Sequence, residues 1–466
     1  MNTSFLARQL LSVALITTFL LWSCQGACSD LALHGDHISL HVKNVALQSI
    51  LQEFLQLGIT VQIAPSINPR VTVSLDEREL RQGLDAIIHP FSYALIWKSA
   101  RKATGSTTTL AGLQVFSPGN RNAMRYLAAS NKPTFIPGEL LLKLTGTTSP
   151  AQLQRIIRQI DGTLMAGNAS LGVYKIQVAK STDIPGLAAR ITQSGVAVAE
   201  PNFVIKAAPP ILVDEAAEPD ISDDKTDRSS MGSTPVAVLD SGLFPGYGLE
   251  EYVTTSYDPL HPGLPLSDSM GHGTQMAFIA TGMVIPDGVT AAADHTMAPV
   301  IPIKIFDDEG LTSNYTLLQS IDFARQHNGR ILSLSWETTT ASTFLEQALN
   351  DARDHGAIIF AAAGNQPTGK PVYPAAYDSV IAVGALAADG SQWENSNYGS
   401  FVDIYAPGIA TFPVGNQGEA GTYAGTSIST AYIAGMAADY ISTHPGAGEK
   451  EIKTFLGISR ARGDTQ

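Results

Sequence analysis

Residues 235–242 read PVAVLDSG, and the reading of this stretch decides how the second half of the chain folds. Val236–Leu239 is a run of apolar residues that ends abruptly in Asp240-Ser241-Gly242. A short strand with no polar alternation belongs inside a sheet that is covered on both faces. The pattern repeats downstream. Ile331–Trp336, Ala357–Ala362 and Val380–Val383 are further apolar runs bounded by turn residues, and the helical stretches Asn314–His327 and Phe344–His355 separate them. Apolar strands alternating with helices predict an α/β domain on a parallel sheet, here over residues 233–466. Chemistry in such sheets sits beyond the carboxyl ends of the strands, where Asp240 and Asn365 both fall.

Four blocks around that frame carry residues of one chemistry. PVAVLDSG holds Asp240, GHGTQMAFIATG (271–282) holds His272, FAAAGN (360–365) holds Asn365 and AGTSISTAYIAGMAA (424–438) holds Ser427. A serine hydroxyl is a weak nucleophile near neutral pH, so an imidazole must take its proton as the new bond forms. A carboxylate then has to hold that imidazole in one tautomer. Each residue alone has a bland reading: Asp240 caps a strand-to-turn junction, and His272 and Ser427 cap helices. A helix opened by Ser427 is expected over Ile428–Ser442.

Taken together and in this order, the four blocks resemble the subtilisin-like serine proteases, the subtilases or peptidase family S8. The resemblance covers residues 233–466. It implies serine endopeptidase activity on polypeptide substrates, with Asp240, His272 and Ser427 as the catalytic triad, in the chain order known for subtilisin. It further implies that the Asn365 side-chain amide and the Ser427 backbone N–H form an oxyanion hole. Ser333, Leu334 and Ser335 would bind substrate along one wall, and Ala362, Ala363 and Gly364 would form the other wall of the specificity pocket. The chain departs from the family at Gln275, where histidine is usual, at Ala431-Tyr432, where Pro-His is usual, and at Glu337, where glycine is common. The last departure falls beside the specificity pocket. No cofactor is required for catalysis; the family often binds structural calcium, but no ligand set can be mapped and no metal site is assigned.

Two small α+β domains are expected upstream. Over 31–118, Ile38, Leu40 and Val42 alternate as a strand, and Leu47, Ile50, Leu51, Phe54 and Leu55 follow at helical spacing up to Gly58. A strand at Val71–Leu75, a helix at Leu80–Ile88 and a closing hairpin complete the unit. Its ISLHVKNVALQSILQEF and RVTVSLDERELRQGLDAII resemble the N-terminal domain of secretins and TonB-dependent receptors, which implies docking to an envelope protein without chemistry of its own. Over 135–207 the order β-α-β-β-α-β predicts a ferredoxin-like sandwich. Its FIPGELLLKL and VAVAEPNFVIKA resemble the inhibitory propeptide of subtilases, so the chain's own propeptide is an expected partner, with Phe203–Ala208 lying in the substrate groove. Residues 208–232 read as an exposed acidic linker.

The chain has 466 residues, of which 42 are Asp/Glu and 29 Lys/Arg, for a net charge of −13, and this argues against a nucleic-acid binder. Residues 135–207 carry seven Lys/Arg against four Asp/Glu, whereas 230–466 carry nine against 24. Opposite charges of this kind attract within one chain. Arg8 followed by the apolar run Leu10–Trp22 reads as a signal peptide over 1–28, and no later run is long enough for a transmembrane helix in the mature chain. Leu21-Trp22-Ser23-Cys24 resembles a lipobox, in which Cys24 would be lipidated; ordinary cleavage near Gly26–Cys28 is the alternative. Beyond Cys28 the chain has no cysteine. The expected destination is therefore export: periplasm, outer-membrane lipoprotein or secreted. The reading is a self-processing zymogen of a serine endopeptidase. Its rivals are an inactive protease-like envelope binding protein and an esterase using the same triad.

Overall fold

A computed structural model of the chain describes residues 31–34, 37–57, 59–64, 67–102, 105–117, 125–126, 134–146, 149–208, 210–214, 232–289, 297–414 and 420–458. The expected signal peptide and Cys24 lie outside the described residues. The chain divides into two compact units, Met1–Ala129 and Ser130–Gln466.

In the first unit, β1 (Ala32–His34), β2 (His37–Ala46) and α1 (Leu47–Gln56) are followed by β3 (Thr60–Ile63), β4 (Arg70–Glu79) and α2 (Leu80–Ile88). β5 (Ser92–Lys102), β6 (Gly105–Phe116) and β7 (Arg125–Tyr126) complete it. The strands form two sheets, ordered β1-β2-β4 and β5-β6-β3-β7. The alternation in β2 puts Ile38, Leu40 and Val42 into one core with Leu47, Ile50, Leu51 and Phe54 of α1 and Leu80, Leu84, Ile87 and Ile88 of α2. β5 and β6 pair antiparallel as the closing hairpin.

The second unit begins with β8 (Phe135–Leu144), α3 (Pro150–Gln159), β9 (Thr163–Asn168), β10 (Val173–Gln177), α4 (Ile184–Gln193) and β11 (Ala197–Lys206). Ser149 and Pro150 start α3 as a cap and first-turn proline do, with the Ser149 N–H donating to Gln152 Oε1 at 3.2 Å. Leu153, Ile156 and Ile157 of α3 and Ile184, Leu187 and Ile191 of α4 cover one face of the sheet. The other face turns Leu141, Val173 and Ile205 into the main core of the α/β domain. After β11 comes β12 (Ile211–Asp214). The linker expected from 208 is thus not structureless at its start, because the apolar triplet Ile211-Leu212-Val213 finds a strand to pair with.

β13 (Val236–Asp240), α5 (His272–Thr281), β14 (Val300–Lys304), β15 (Leu311–Ser313), α6 (Asn314–Gln326), β16 (Ile331–Leu334), α7 (Thr343–Asp354), β17 (Ile358–Ala362) and β18 (Ile381–Leu386) build the α/β domain. β19 (Ile404–Pro407), β20 (Ile409–Phe412), β21 (Gly421–Ala424), α8 (Thr426–Thr443) and α9 (Glu449–Phe455) close it. The six-stranded sheet is ordered β14-β13-β16-β17-β18-β19, and every neighbouring pair is parallel. All of β13 is buried, as its unbroken apolar run requires. The chain leaves β13 for β14 on one side and returns to β16 on the other, which opens a crevice at the carboxyl end of β13. One face of the sheet packs Met276, Phe278 and Ile279 of α5 with Ile428, Ala431 and Ala434 of α8. Against the other lie Leu317, Leu318 and Ile321 of α6 and Phe344, Leu345 and Leu349 of α7. A methyl on Gly435 would sit 2.7 Å from the Ala280 carbonyl, so only glycine lets α8 approach α5 this closely. α8 begins at Thr426, two residues before the expected Ile428.

Candidate active site

Asp240 ends β13 and is wholly buried, and His272 opens α5. Asp240 Oδ1 accepts the Ser241 N–H at 2.7 Å and His272 Nδ1 at 2.7 Å. A carboxylate only accepts, so Nδ1 carries the proton and Nε2 is left with a bare lone pair. Burial alone would lower the pKa of His272; the charge and hydrogen bond of Asp240, helped by the charge of Asp268, outweigh it and raise the value above the ordinary imidazole range.

Sequence reading missed two groups that hold this pair. Asp268 accepts from the Gly271 N–H at 2.8 Å and from the Thr274 N–H and hydroxyl at 2.9 and 2.6 Å, which pins the first turn of α5. An aspartate four residues before the histidine, with Thr274 beyond, was the available signal. Lys304, 1% exposed, donates to the Ser241 carbonyl at 3.1 Å and stiffens the turn after Asp240. Gln275, one of the departures, is buried and donates to the Val414 carbonyl at 3.1 Å.

Ser427 lies in the first turn of α8, the helix packed on α5. Its Oγ and His272 Nε2 are both buried, and neither has a hydrogen-bond partner. The pair is thus brought to adjoining helices without a closed hydrogen bond, as catalytic pairs commonly are before substrate binds. Asn365 Oδ1 accepts the Thr426 N–H and hydroxyl, both at 2.9 Å, so its Nδ2 is the end left to donate elsewhere. The Gly364 N–H donates to Thr426 Oγ1 at 3.2 Å and ties that loop to α8. Ser335 Oγ donates to the Ser427 carbonyl at 3.2 Å. Ser333, Ala362 and Ala363 are buried beside these contacts, while the side chain of Leu334 points into the core and leaves only its backbone for substrate.

Residues 200–214 tie the preceding sandwich to this region. Glu200 accepts from the Ser342 hydroxyl, the Thr343 N–H and Asn314 Nδ2, and Asn202 Oδ1 accepts the Tyr315 N–H, so both carbonyl-bearing side chains plug the starts of α6 and α7. β11 pairs antiparallel with β15 through Val204, Ile205 and Lys206, and the Ala207 N–H donates to the Gly310 carbonyl at 2.8 Å. β12 then pairs antiparallel with β21, which directly precedes the Gly425-Thr426-Ser427 turn. A methyl built on Gly425 would lie 3.0 Å from Pro210 Cβ and 3.1 Å from Ser427 Oγ, which measures how near the strap passes to the hydroxyl.

Among the described residues, no group of three or more His, Cys, Asp or Glu gathers as a metal site, and no helix is long and apolar enough to cross a membrane.

Comparison with known proteins places the fold in one class. The subtilase family model matches residues 233–463, and the fervidolysin N-terminal prodomain model matches 121–202. The chain is 32% identical over 227 residues to subtilisin Savinase of Lederbergia lenta, covering 47% of this chain and 81% of that protein. Subtilisin E of Bacillus subtilis (strain 168) is 32% identical over 236 residues, covering 48% and 61%. An alkaline protease of Alkalihalobacillus alcalophilus is 32% identical over 227 residues, covering 47% of this chain, so that the chain spans only 57% of that protein's length. The solved structure of fervidolysin from Fervidobacterium pennivorans, a keratinolytic enzyme related to subtilisin, aligns with a TM-score of 0.55 at 20% identity, over 71% of this chain and 58% of that one. This chain belongs to the subtilase family, with the subtilisin-like α/β fold and a prodomain of the fervidolysin kind before it.

Proposed function

We propose that the chain is an exported serine endopeptidase made as a self-processing zymogen. The observation that carries this reading is the 2.7 Å bond fixing His272 with Nε2 bare, on a helix packed directly against the one that bears Ser427. Ser427 Oγ attacks the substrate carbonyl as Nε2 takes its proton, and Asp240 stabilises the imidazolium. The Asn365 amide and the Ser427 N–H stabilise the oxyanion, His272 returns the proton to the leaving amine, and water cleaves the acyl-enzyme by the same route. The strap over 204–214 acts as the inhibitor, because it runs beside β15 and β21 and crosses next to the nucleophile. Residues 31–118 serve as an envelope docking module. The test is the mature N-terminus, mapped by mass spectrometry in wild type and Ser427→Ala: a shortened wild-type chain beside an intact variant supports the reading, and identical masses refute it.

Three outcomes follow. Asn365→Ala lowers kcat by roughly 10²–10³-fold with little change in KM, the magnitude such a donor has in subtilisin itself. A loss in KM alone would remove Asn365 from the oxyanion role. Because His272 must be neutral to accept the proton and its pKa is raised, the acid limb of kcat/KM against pH lies above about 6.5. A limb in the carboxylate range would assign it to another group. Supplied separately, residues 135–207 inhibit the 233–466 fragment. Their association rate falls with salt, since long-range charge steers it, while the dissociation rate holds nearly constant. The contacts across are uncharged or one-sided hydrogen bonds, such as Lys143 Nζ to Gln347 Oε1 at 3.2 Å and Asn168 Nδ2 to Asp322 at 3.0 Å. Stopped-flow binding at several salt concentrations separates the two rates.

A further inference from the structure

Glu337 stands just past β16, on the strand that carries Ser333–Ser335, and it is one of the family departures that the proteolytic reading leaves unused. Its position is fixed from both sides. Ser335 is anchored to the Ser427 carbonyl, and Thr338 exchanges two backbone bonds with Tyr373, at 2.7 and 2.8 Å. The carboxylate reaches across to the opposite wall. A methyl built on Gly364 would lie 2.9 Å from Glu337 Oε2 and 3.0 Å from Oε1, and the Asn365 N–H donates to the same carboxylate. Gly364 has φ +102°, a conformation that favours glycine, so the wall is kept bare where the carboxylate rests on it. Among the described residues, no lysine, arginine or histidine lies within ion-pair distance of Glu337.

We infer that Glu337 is a specificity-determining residue that selects a lysine or arginine side chain in the substrate residue before the scissile bond. This rests on the proteolytic reading above, in which the walls Ser333–Ser335 and Ala362–Gly364 flank that residue. A partly buried carboxylate without a cation is costly, and a guanidinium or ammonium entering between the walls supplies the missing partner. Burial pushes the Glu337 carboxyl up to about 7, the Asn365 N–H opposing that rise, so the group ionises within the range where such an enzyme would be assayed. A mere structural plug would have been served equally by a neutral side chain.

Two arms test it on the full-length chain, assayed on the alkaline side of that value. The first measures kcat/KM for peptides that differ only in having Arg, Lys, Leu or Phe before the cut, in wild type and Glu337→Gln. Wild type prefers the basic peptides, and Glu337→Gln lowers the basic-to-apolar ratio on the order of 100-fold. A general loss of structure would lower all four together and keep the ratio, and that result overturns the assignment, as does a wild-type preference for Leu or Phe. The second arm titrates benzamidine, an amidinium probe, into Ser427→Ala and Ser427→Ala/Glu337→Gln by calorimetry. Binding that disappears with the glutamate supports the acidic pocket even where no peptide is cleaved, in which case only the proteolytic reading falls. Hydrolysis of apolar peptides with no benzamidine binding leaves the protease standing and sinks the role of Glu337.

Discussion

Ser427→Ala brings peptide hydrolysis down on the order of 10⁶-fold in kcat, the magnitude that losing the nucleophile has in subtilisin, and it leaves the fold intact. The two halves of this expectation have separate physical grounds. The loss of rate follows because the hydroxyls beside Ser427 are already committed: Thr426 Oγ1 to Asn365, and Ser335 Oγ to the Ser427 carbonyl. The preserved fold follows because Ser427 Oγ makes no hydrogen bond, so its removal leaves no orphaned partner and creates little space. Product release from a peptide, measured beside a thermal melt, reads both. Hydrolysis at the wild-type rate in a variant that melts normally would remove the nucleophile assignment.

Asp240→Asn is expected to lower kcat by roughly 10⁴-fold while KM changes little. In the native site one carboxylate oxygen accepts both the Ser241 N–H and His272 Nδ1, and the other is buried without a partner. An amide in its place either buries an NH₂ with nothing to accept it or turns that NH₂ toward the ring, where Nδ1 must then give up its proton. The second arrangement puts the proton on Nε2, which can no longer accept one from serine. Either way the negative charge is gone. The acid limb of the pH profile therefore moves to lower pH as the rate falls, because Asp240 is what outweighs burial at His272. Unchanged turnover would mean another carboxylate orients the ring, and Asp268, whose charge also reaches His272, would be the group to test next.

The fold was legible where apolar runs had sharp ends. Val236–Leu239 between Pro235 and Asp240-Ser241-Gly242 leaves a buried parallel strand as its natural reading, and Ser149-Pro150 marks the start of α3 by local chemistry alone. The start of α8 was misplaced by two residues because Thr426 is held in the helix by Asn365, a contact 61 residues away that no local pattern encodes. β12 was missed for a similar reason: Ile211–Asp214 is a strand only because β21, more than 200 residues later, offers an edge. At the site, the residues in motif blocks stood out, whereas their supports did not. Asp268 and Lys304 act through backbone groups of Gly271 and Ser241, and such roles depend on where loops meet rather than on residue type. The side chain of Leu334 illustrates the converse: its place in the motif suggests substrate, but strand alternation sends it into the core.

The strap that crosses beside Ser427 is fastened at two independent points, by β11 on β15 and by β12 on β21, with only Ala207 to Pro210 between them. Severing the chain where that gap begins, after Lys206, breaks one covalent bond and no strand pairing. Both new ends stay where they were, each held by its own ladder of backbone hydrogen bonds. Cutting and opening are then separate events on separate clocks, the second governed by dissociation rather than by chemistry. A maturing sample would show the severed chain on a denaturing gel well before it turns over any added peptide. Under the zymogen reading proposed above, such a delay would leave the enzyme cut and still silent.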